Sequence, residues 1–286
     1  MIKKGIILAG GKGTRLSPLT KAVNKQLLPI YDKPLIFYPL SVMMLANIRE
    51  ILMIVNPGQI ENFKNLLGNG NRYGIKIKYI IQNKPKGLSD AFILGEKFIK
   101  NDNVALILGD NFFYGQSLTS KLEKSLLHKT GARIFLKKVD MPKNYGVAKI
   151  VNKTIQKIVE KPKKFISDYA ITGLYFFDNK VCRYAKTLKP SKRGEIEITD
   201  LLNIYKKNKN LSFEHIGRGA VWSDAGKIDD MTNVSNFVQS VEKVQGIKIS
   251  CLEEISLSKK WINKKKVLKN IKFYGDCEYS NYLKRL

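Results

Sequence analysis

Short apolar runs rich in Val, Ile and Leu alternate with longer amphipathic segments through the first half of the chain. Apolar residues at three- and four-residue intervals predict helices, and continuous apolar runs of about four to eight residues predict buried strands. This alternation indicates βα units around a largely parallel sheet. The predicted strands are 5–9, 51–56, 75–82, 104–108 and 133–139, and the predicted helices are 34–46, 60–67, 89–99 and 118–129.

The second half begins with successive strands. Strands are predicted at 147–151, 154–159, 170–177, 211–216 and 220–222, and helices at 197–207 and 229–244. The first two of these strands are predicted to form a hairpin, whose strands run antiparallel, so the whole sheet is predicted to be mixed. The pattern as a whole predicts an α/β fold with a Rossmann-like, three-layer, mostly parallel sheet. After Gly246 it weakens into short Lys-rich pieces that predict a C-terminal helical extension.

A strong positive charge accompanies this pattern. The 286 residues include 51 Lys and Arg against 24 Asp and Glu, which gives a formal net charge of +27, and 44% of the residues are hydrophobic. The hydrophobic share excludes an intrinsically disordered chain. Basic charge is typical of nucleic-acid-binding proteins, and that class stays an alternative. Because the lysines are spread along the whole chain, we attribute the charge to composition and expect no specific nucleic acid partner.

The cysteines and the apolar runs limit the location of the protein. Cys182, Cys251 and Cys277 are far apart and lack the spacings of zinc sites, so neither a disulfide framework nor structural zinc is expected. This usage favours a cytoplasmic location. No apolar stretch approaches the roughly 20 residues of a membrane span, and no membrane partner is expected.

A glycine-rich loop follows the first predicted strand. Residues 8–16 read LAGGKGTRL, and the three glycines allow backbone N–H groups to approach an anion. Arg15 adds a planar charged group that suits phosphate oxygens. Leu16 stands where a dinucleotide-binding motif needs its third glycine, which argues against an NAD-dependent oxidoreductase. We interpret the loop, with Lys25 and Gln26 nearby, as a phosphate-binding site; an ordinary tight turn is the alternative.

Two carboxylates follow apolar strands at other points of the chain. Asp110 comes directly after the strand 104–108 and a glycine, and Asp224 follows the strand 220–222. In open α/β sheets ligands bind at the carboxyl ends of the strands, so both aspartates are expected to face the glycine-rich loop. Mg²⁺ takes one or two protein carboxylates and completes its shell with water and phosphates. The pair predicts a magnesium site for phosphoryl-type chemistry; a helix N-cap or turn is the alternative for Asp110.

Six segments of the chain form a family pattern when they are taken together. They are LAGGKGTRL at 8–16, KQLLPIYDKP at 25–34, LGDN at 108–111, EKP at 160–162, TGLY at 172–175 and RGEIEITD at 193–200. These segments resemble the sugar-nucleotide pyrophosphorylases, and within them the branch that transfers a thymidylyl group from dTTP to glucose 1-phosphate. The resemblance implies the nucleotidyltransferase fold, Mg²⁺ as cofactor and a homotetramer. It also implies that residues 1–240 bind nucleotide and sugar phosphate, and that the extension 241–286 packs on the core or at a subunit interface.

The resemblance assigns roles to individual residues. The triphosphate would be held by Gly10, Gly11, Gly13, Thr14, Arg15, Lys25 and Gln26, the base by Gln82 and Gly87, the metal by Asp110 and Asp224, and the sugar phosphate by Gly146, Glu160, Lys161 and Thr172, with Asn111 also in the substrate site. Arg15, Lys161 and Asp110 would act in catalysis. Because a sugar phosphate is already an anionic nucleophile, the site needs no general base and has to hold two repelling anions in line.

The chain departs from the family pattern at several positions. Lys86 and Asp90 stand where the family commonly has an acid and an amide, Lys149 where it has a glutamate, and Ala225 where it has a threonine. Residues 116–120 lack the imidazole and carboxylate that accompany the family's second, regulatory nucleotide site, which leaves feedback control open. A uridylyltransferase of the same family and a catalytically idle sugar-nucleotide-binding relative are the alternative functions.

Overall fold

The structure is a computed structural model that describes residues 2–286. Its strands are β1 (Lys4–Ala9), β2 (Pro29–Ile30), β3 (Lys33–Pro34), β4 (Glu50–Val55), β5 (Lys76–Ile81), β6 (Val104–Leu108), β7 (Phe112–Gly115), β8 (Ala132–Lys138), β9 (Gly146–Val151), β10 (Thr154–Glu160), β11 (Tyr169–Phe177), β12 (Leu211–His215) and β13 (Ala220–Ser223). Its α-helices are α1 (Leu19–Ala22), α2 (Phe37–Leu45), α3 (Ile60–Leu67), α4 (Asp90–Leu94), α5 (Glu96–Ile99), α6 (Leu118–Leu126), α7 (Val181–Thr187), α8 (Ile198–Lys207), α9 (Ile228–Gln245), α10 (Leu252–Ser258), α11 (Lys264–Tyr274) and α12 (Glu278–Leu283). Short 3-10 helices lie at Thr14–Leu16, Lys25–Leu27, Asn71–Tyr73 and Pro142–Asn144.

One large mixed sheet organises the molecule. β5, β4, β1 and β6 run parallel in that order, and β11 pairs antiparallel with β6. β8 pairs antiparallel with β11, and β12 adds parallel to β8. The hairpin of β9 and β10 joins the sheet at the beginning of β11. The mixed, mostly parallel sheet predicted from the sequence is therefore confirmed.

Helices cover both faces of this sheet. Ile7 of β1 belongs to a buried cluster that includes residues of α2, α3 and α6, whereas its neighbour Ile6 belongs to a second cluster with α4, α7 and α8. Successive side chains of a strand point to opposite faces, so the two clusters lie on the two sides of the sheet. This gives the predicted three-layer α/β architecture.

A two-stranded ribbon stands apart from the large sheet. β7 is separated from β6 by three residues and pairs antiparallel with β13, with Ser223 opposite Phe112. The hydrophobic pattern predicts β13 but not β7, because the apolar residues of β7 are too few to form a separate run. The ribbon brings the segment after β13 back beside the end of β6.

The C-terminal helices pack on the face of the sheet covered by α2. Leu252 of α10 is fully buried in the core cluster that includes α2. Ser256 Oγ donates a hydrogen bond to the Tyr73 carbonyl oxygen at 2.8 Å. Within residues 2–286, the structure contains no helix whose length and apolarity would let it cross a membrane.

Candidate active site

The carboxyl ends of the parallel strands open onto a cleft with two pockets. The large pocket, of about 660 Å³, contains Asp110, Glu160 and Asp224 in its lining. The small pocket, of about 300 Å³, contains Gly11 and Gln82 in its lining. Because β1, β4, β5 and β6 run in the same direction, their loops meet at one edge of the sheet, as expected for this topology.

The glycine-rich loop is fixed by a side chain from the next strand. Gly11 has a positive φ of 92°, and its N–H donates to Asn56 Oδ1 at 3.0 Å while Asn56 Nδ2 donates to the Gly11 carbonyl at 2.7 Å. Asn56 directly follows β4. The N–H groups of Lys12 and Gly13 have no hydrogen-bond partner within residues 2–286. These N–H groups, rather than that of Gly11, are therefore available to an anion.

A lysine connects the two predicted metal ligands. Lys25 Nζ lies 2.6 Å from Asp110 Oδ2 and 3.4 Å from the Asp224 carbonyl oxygen. Lys25 is buried and lines the small pocket, whereas both aspartates line the large one. The structure thus brings Asp110 and Asp224 together, as the sequence predicted, and places a cation where the two pockets adjoin.

Asn111 holds Asp110 in place from behind. Its Nδ2 donates to Asp110 Oδ1 at 3.0 Å, and its Oδ1 accepts from Trp222 Nε1 at 2.7 Å and from Gly173 N at 3.1 Å. Asn111 has no exposed surface. It therefore ties the end of β6 to β11 and to the ribbon, so its side chain positions a neighbour.

The two aspartates suit a divalent cation. Burial raises the pKa of Asp224 most, and the Asp110 carboxylate adds to this, whereas Lys25 lowers it. Two carboxylates that face one cleft are stabilised by a hard cation, and Mg²⁺ commonly takes one or two of them. Within residues 2–286 no group of three acidic, His or Cys side chains forms a metal cluster, so substrate phosphates and water would have to complete the shell.

The far side of the large pocket is rich in carboxylates. Glu160, at the end of β10, lies close to Gly146, where an added Cβ would be 3.1 Å from its Oε2. Burial raises the pKa of Glu160, and the neighbouring Glu197 adds to the increase. Arg193 Nη1 lies 3.4 Å from Glu160 Oε1 and 3.4 Å from Glu197 Oε1. The pocket therefore combines hydroxyl-accepting carboxylates with a guanidinium that can meet a phosphate.

The two cationic side chains predicted to act in catalysis both reach the large pocket. Lys161 is exposed there and has an unusual φ of +40°, and its N–H donates to the Tyr145 carbonyl at 3.0 Å. An added Cβ on Gly226 would lie 2.9 Å from Arg15 Nη2 and 3.1 Å from Asp224 Oδ2. Gly226 thus leaves room for the Arg15 guanidinium beside Asp224.

Gln82 is hydrogen-bonded to a buried acid. Gln82 Nε2 donates to Asp90 Oδ2 at 2.9 Å, and both side chains are buried. An added Cβ on Gly10 would lie 3.0 Å from Gln82 Oε1. The amide therefore lies directly beside the start of the glycine-rich loop.

A backbone pairing, called here the loop pairing, joins the segment 86–89 to Ile196. Ile196 N donates to the Lys86 carbonyl at 2.7 Å, and the Ile196 carbonyl accepts from Ser89 N at 3.2 Å. An added Cβ on Gly87 would meet the Ile196 backbone at 2.6 Å. Gly87 is needed for this close approach.

Most of the predicted site residues line one of the two pockets, and the others do not. The large pocket is lined by Arg15, Asp110, Asn111, Gly146, Glu160, Lys161 and Asp224, and the small pocket by Gly11, Lys25 and Gln82. Neither lining includes Gly10, Gly13, Thr14, Gln26, Gly87 or Thr172. Thr172 is fully buried and its hydroxyl donates to the Phe135 carbonyl at 3.0 Å, so it lies behind the wall.

Three residues of the cleft were given no role by the sequence analysis. Asn56 holds the glycine-rich loop, Trp222 holds Asn111, and Arg193 faces the acidic side of the large pocket. Arg193 lies in the family segment 193–200, which is a signal that could have identified it. For Asn56 and Trp222 the sequence offers only their positions at the ends of predicted strands.

Comparisons with known proteins identify the family of this chain. The family model "Nucleotidyl transferase" matches residues 4–241. The chain belongs to the nucleotidyl transferase family. The resemblance stated from the sequence motifs is thereby confirmed. The glucose-1-phosphate thymidylyltransferase of Neisseria meningitidis serogroup A is 49% identical to this family member over 284 residues, which cover 99% of each chain.

Two solved structures share the fold of this nucleotidyl transferase. A crystal structure from Bacillus anthracis, in complex with a sucrose, is similar with a TM-score of 0.77 and 40% identity, covering 82% of this chain and 94% of that one. A UDP-glucose pyrophosphorylase complexed with UDP-glucose gives a TM-score of 0.73 and 27% identity, covering 84% of this chain and 100% of that one. The fold of the family is therefore that of the mixed sheet described above.

Proposed function

We propose that this chain transfers a thymidylyl group from dTTP to glucose 1-phosphate, giving dTDP-glucose and pyrophosphate with Mg²⁺ as cofactor. The observation that carries the proposal is the position of Lys25, which contacts Asp110 and Asp224 where the two pockets adjoin. The name of the 49% identical relative supports the same reaction. The small pocket would take the nucleoside triphosphate and the large pocket the sugar phosphate.

The reaction requires charge neutralisation more than proton transfer. An oxygen of the sugar phosphate forms a bond to the α-phosphorus of the triphosphate, and the bond from that phosphorus to the bridging oxygen breaks, releasing pyrophosphate. The attacking phosphate is already anionic, so no side chain has to remove a proton. The N–H groups of Lys12 and Gly13, with Lys25, would bind the triphosphate in the small pocket, and Arg15, on the large-pocket side beside Asp224, would neutralise the charge of the reacting phosphates.

The large pocket would hold the nucleophile. Lys161 and Arg193 supply cations for its phosphate, and Glu160 supplies an acceptor for sugar hydroxyls. Asp110 and Asp224 would hold Mg²⁺, which neutralises charge on the phosphates when it is bound. Asn111 keeps the Asp110 carboxylate oriented for that role.

The proposal is tested by pyrophosphate release from a panel of triphosphates and sugar 1-phosphates. We expect dTTP with glucose 1-phosphate to be the best pair, and Asp110→Asn to lower kcat by at least about 100-fold, since a carboxylate for the cation is lost. Asp276→Asn, an exposed position outside the lining of both pockets, serves as the matched control. Equal thermal melting of the two variants would exclude misfolding. Turnover of Asp110→Asn at the wild-type rate would contradict the metal assignment.

A uridylyl transfer is the second candidate function. The structural similarity to a UDP-glucose pyrophosphorylase favours it. The ratio of kcat/KM for dTTP and for UTP with glucose 1-phosphate decides between the two, because these nucleotides differ only by the methyl group of the base and the 2′-hydroxyl of the sugar. A higher value for UTP would replace the first proposal by the second.

A further inference from the structure

The hydrogen bond between Gln82 and Asp90 has a fixed direction, with Gln82 as the donor. Gln82 Nε2 lies 2.9 Å from Asp90 Oδ2, and the exposed fractions of the two residues are only 4% and 6%. A carboxylate can only accept hydrogen bonds, whereas an amide has one accepting and one donating end. The NH₂ end of Gln82 must therefore face Asp90, and a rotated amide would bring two acceptor oxygens together in a buried place.

The other end of the amide is consequently fixed as an acceptor. Gln82 Oε1 lies beside Gly10, where an added Cβ would be 3.0 Å away, and Gln82 belongs to the lining of the small pocket. Within residues 2–286 this oxygen accepts no hydrogen bond, and it is not among the buried polar atoms that are sealed from solvent without a partner. It is therefore open to a ligand in the small pocket.

We propose that Asp90 is a positioning residue that sets base selectivity, by holding Gln82 so that it offers a carbonyl oxygen to the nucleobase. The inference rests on the proposed function, in which the small pocket binds the nucleoside triphosphate. A carbonyl acceptor pairs with a base whose ring nitrogen carries hydrogen, as N3 does in thymine and uracil. Cytosine presents an unprotonated N3, so two acceptors would face each other without a proton between them.

Replacing the carboxylate by an amide removes this constraint. In Asp90→Asn the new side chain can donate as well as accept, so Gln82 is satisfied in either orientation. The rotated Gln82 offers N–H to the pocket and can pair with cytosine N3. The substitution preserves the size of the buried side chain, so the packing around it is retained.

The test compares kcat/KM for dTTP, UTP and dCTP in the wild type, in Asp90→Asn and in the control Asp276→Asn. We expect the wild type to prefer dTTP over dCTP by at least about 100-fold, since a site built around a hydrogen bond strongly rejects the wrong partner. In Asp90→Asn this preference should fall at least about tenfold, with the ratio of UTP to dTTP unchanged because both bases carry N3–H. If the substitution instead loosened the pocket in general, the ratio of kcat/KM for dTTP to dCTP and the ratio for UTP to dTTP would both change.

The outcomes separate this inference from the proposed function. A wild type that turns over none of the triphosphates contradicts the proposed function itself. A wild type active on dTTP whose preference over dCTP persists in a folded Asp90→Asn overturns the role of Asp90 alone. If Asp90→Asn does not fold, the wild type is assayed with N3-methyl-dTTP. Loss of turnover then supports the acceptor at Gln82, and retained turnover overturns it.

Discussion

Individual residues in this cleft depend on neighbours that come from distant parts of the chain. Asp110 is oriented by Asn111, whose own amide is held by Trp222 and Gly173. A buried amide with several partners has one orientation, because any other would leave polar groups unpaired. The carboxylate is thus preorganised before any ligand binds, which is the condition for effective electrostatic catalysis.

The charge state of Glu160 provides a test at the residue scale. Burial raises its pKa most and Glu197 raises it further, while Lys161 and Arg193 lower it and Glu195 raises it slightly. A carboxylate accepts sugar hydroxyls better when it is ionised, so kcat/KM for glucose 1-phosphate should fall as the pH drops through this raised pKa, above the ordinary value of about 4.3. In Glu197→Gln the pKa should be lower, and the acidic limb should move to lower pH.

The measurement is the pH profile of kcat/KM for glucose 1-phosphate in both proteins. Taking the ratio of the two profiles cancels the titration of the substrate phosphate. Gln retains the hydrogen bond that Glu197 Oε1 accepts from Ser191 Oγ, so the loop is preserved. An acidic limb at the same pH in both proteins would contradict the influence of Glu197 on Glu160.

At the scale of elements, the sequence predicts the regular parts well and the connections between them poorly. Long apolar runs identified the strands of the large sheet, because a strand buried on both faces needs apolar residues throughout. The short strand β7 was missed, although it is the partner that brings Asp224 to Asp110. The predicted helix 89–99 is divided into α4 and α5 at Gly95, and α7 was not predicted.

The site could be predicted as a set of residues but not as a set of contacts. Glycines, aspartates and cations at strand ends are visible in the sequence. The pairing of Asn56 with Gly11 and of Gln82 with Asp90 depends on side-chain orientation and on strand order. Neither is specified by the local pattern, and both follow from tertiary packing.

The three C-terminal helices share one buried acid, which allows a test at this scale. Glu253 of α10 accepts hydrogen bonds from Tyr274 (2.9 Å) and Asn270 (3.2 Å) of α11 and from Tyr279 (2.8 Å) of α12. Burial raises the pKa of Glu253, although these hydrogen bonds act in the opposite direction. A pKa that is higher in the folded state gives stability at low pH, which is lost as the pH rises through the folded pKa.

We therefore expect the melting temperature of the wild type, measured against Glu253→Gln, to be highest at and below the ordinary glutamate pKa of about 4.3 and to decline as the pH rises above it. Gln cannot ionise; it keeps one acceptor oxygen for Tyr274 and Asn270, and its NH₂ can donate to the Tyr279 hydroxyl. Thermal melting across the pH range checks this, with the exposed Glu278→Gln as the matched control. A constant difference between wild type and Glu253→Gln at all pH values would contradict a raised pKa.

At the scale of the whole molecule, the net charge of +27 is its most unusual property. Both proposed substrates are anions, and a strongly positive protein attracts anions over distances beyond contact. The division into residues 1–240 and 241–286, the cytoplasmic location and the homotetramer stay predictions. A basic surface is compatible with each of them.

The charge predicts how turnover responds to salt. Raising NaCl from about 0.05 M to about 0.5 M shortens the Debye length severalfold, so kcat/KM for dTTP should fall by roughly tenfold. The value of kcat at saturating substrate should change much less, because electrostatic attraction affects the rate at which substrate and enzyme associate. Steady-state kinetics at several salt concentrations provide the measurement. A salt-independent kcat/KM would show that the positive charge does not assist substrate capture.

The loop pairing has a consequence for how the two pockets communicate. Asn83 and Pro85 border the small pocket, while Leu88 and Glu197 border the large one. Segment 86–89, which connects these two borders, is bound to Ile196 by main-chain hydrogen bonds, so the two are expected to move together. A ligand that shifts the wall of one pocket is therefore expected to shift the wall of the other as well. By thermodynamic linkage, if a ligand in one pocket changes the affinity of the other pocket by some factor, the second ligand changes the affinity of the first pocket by the same factor.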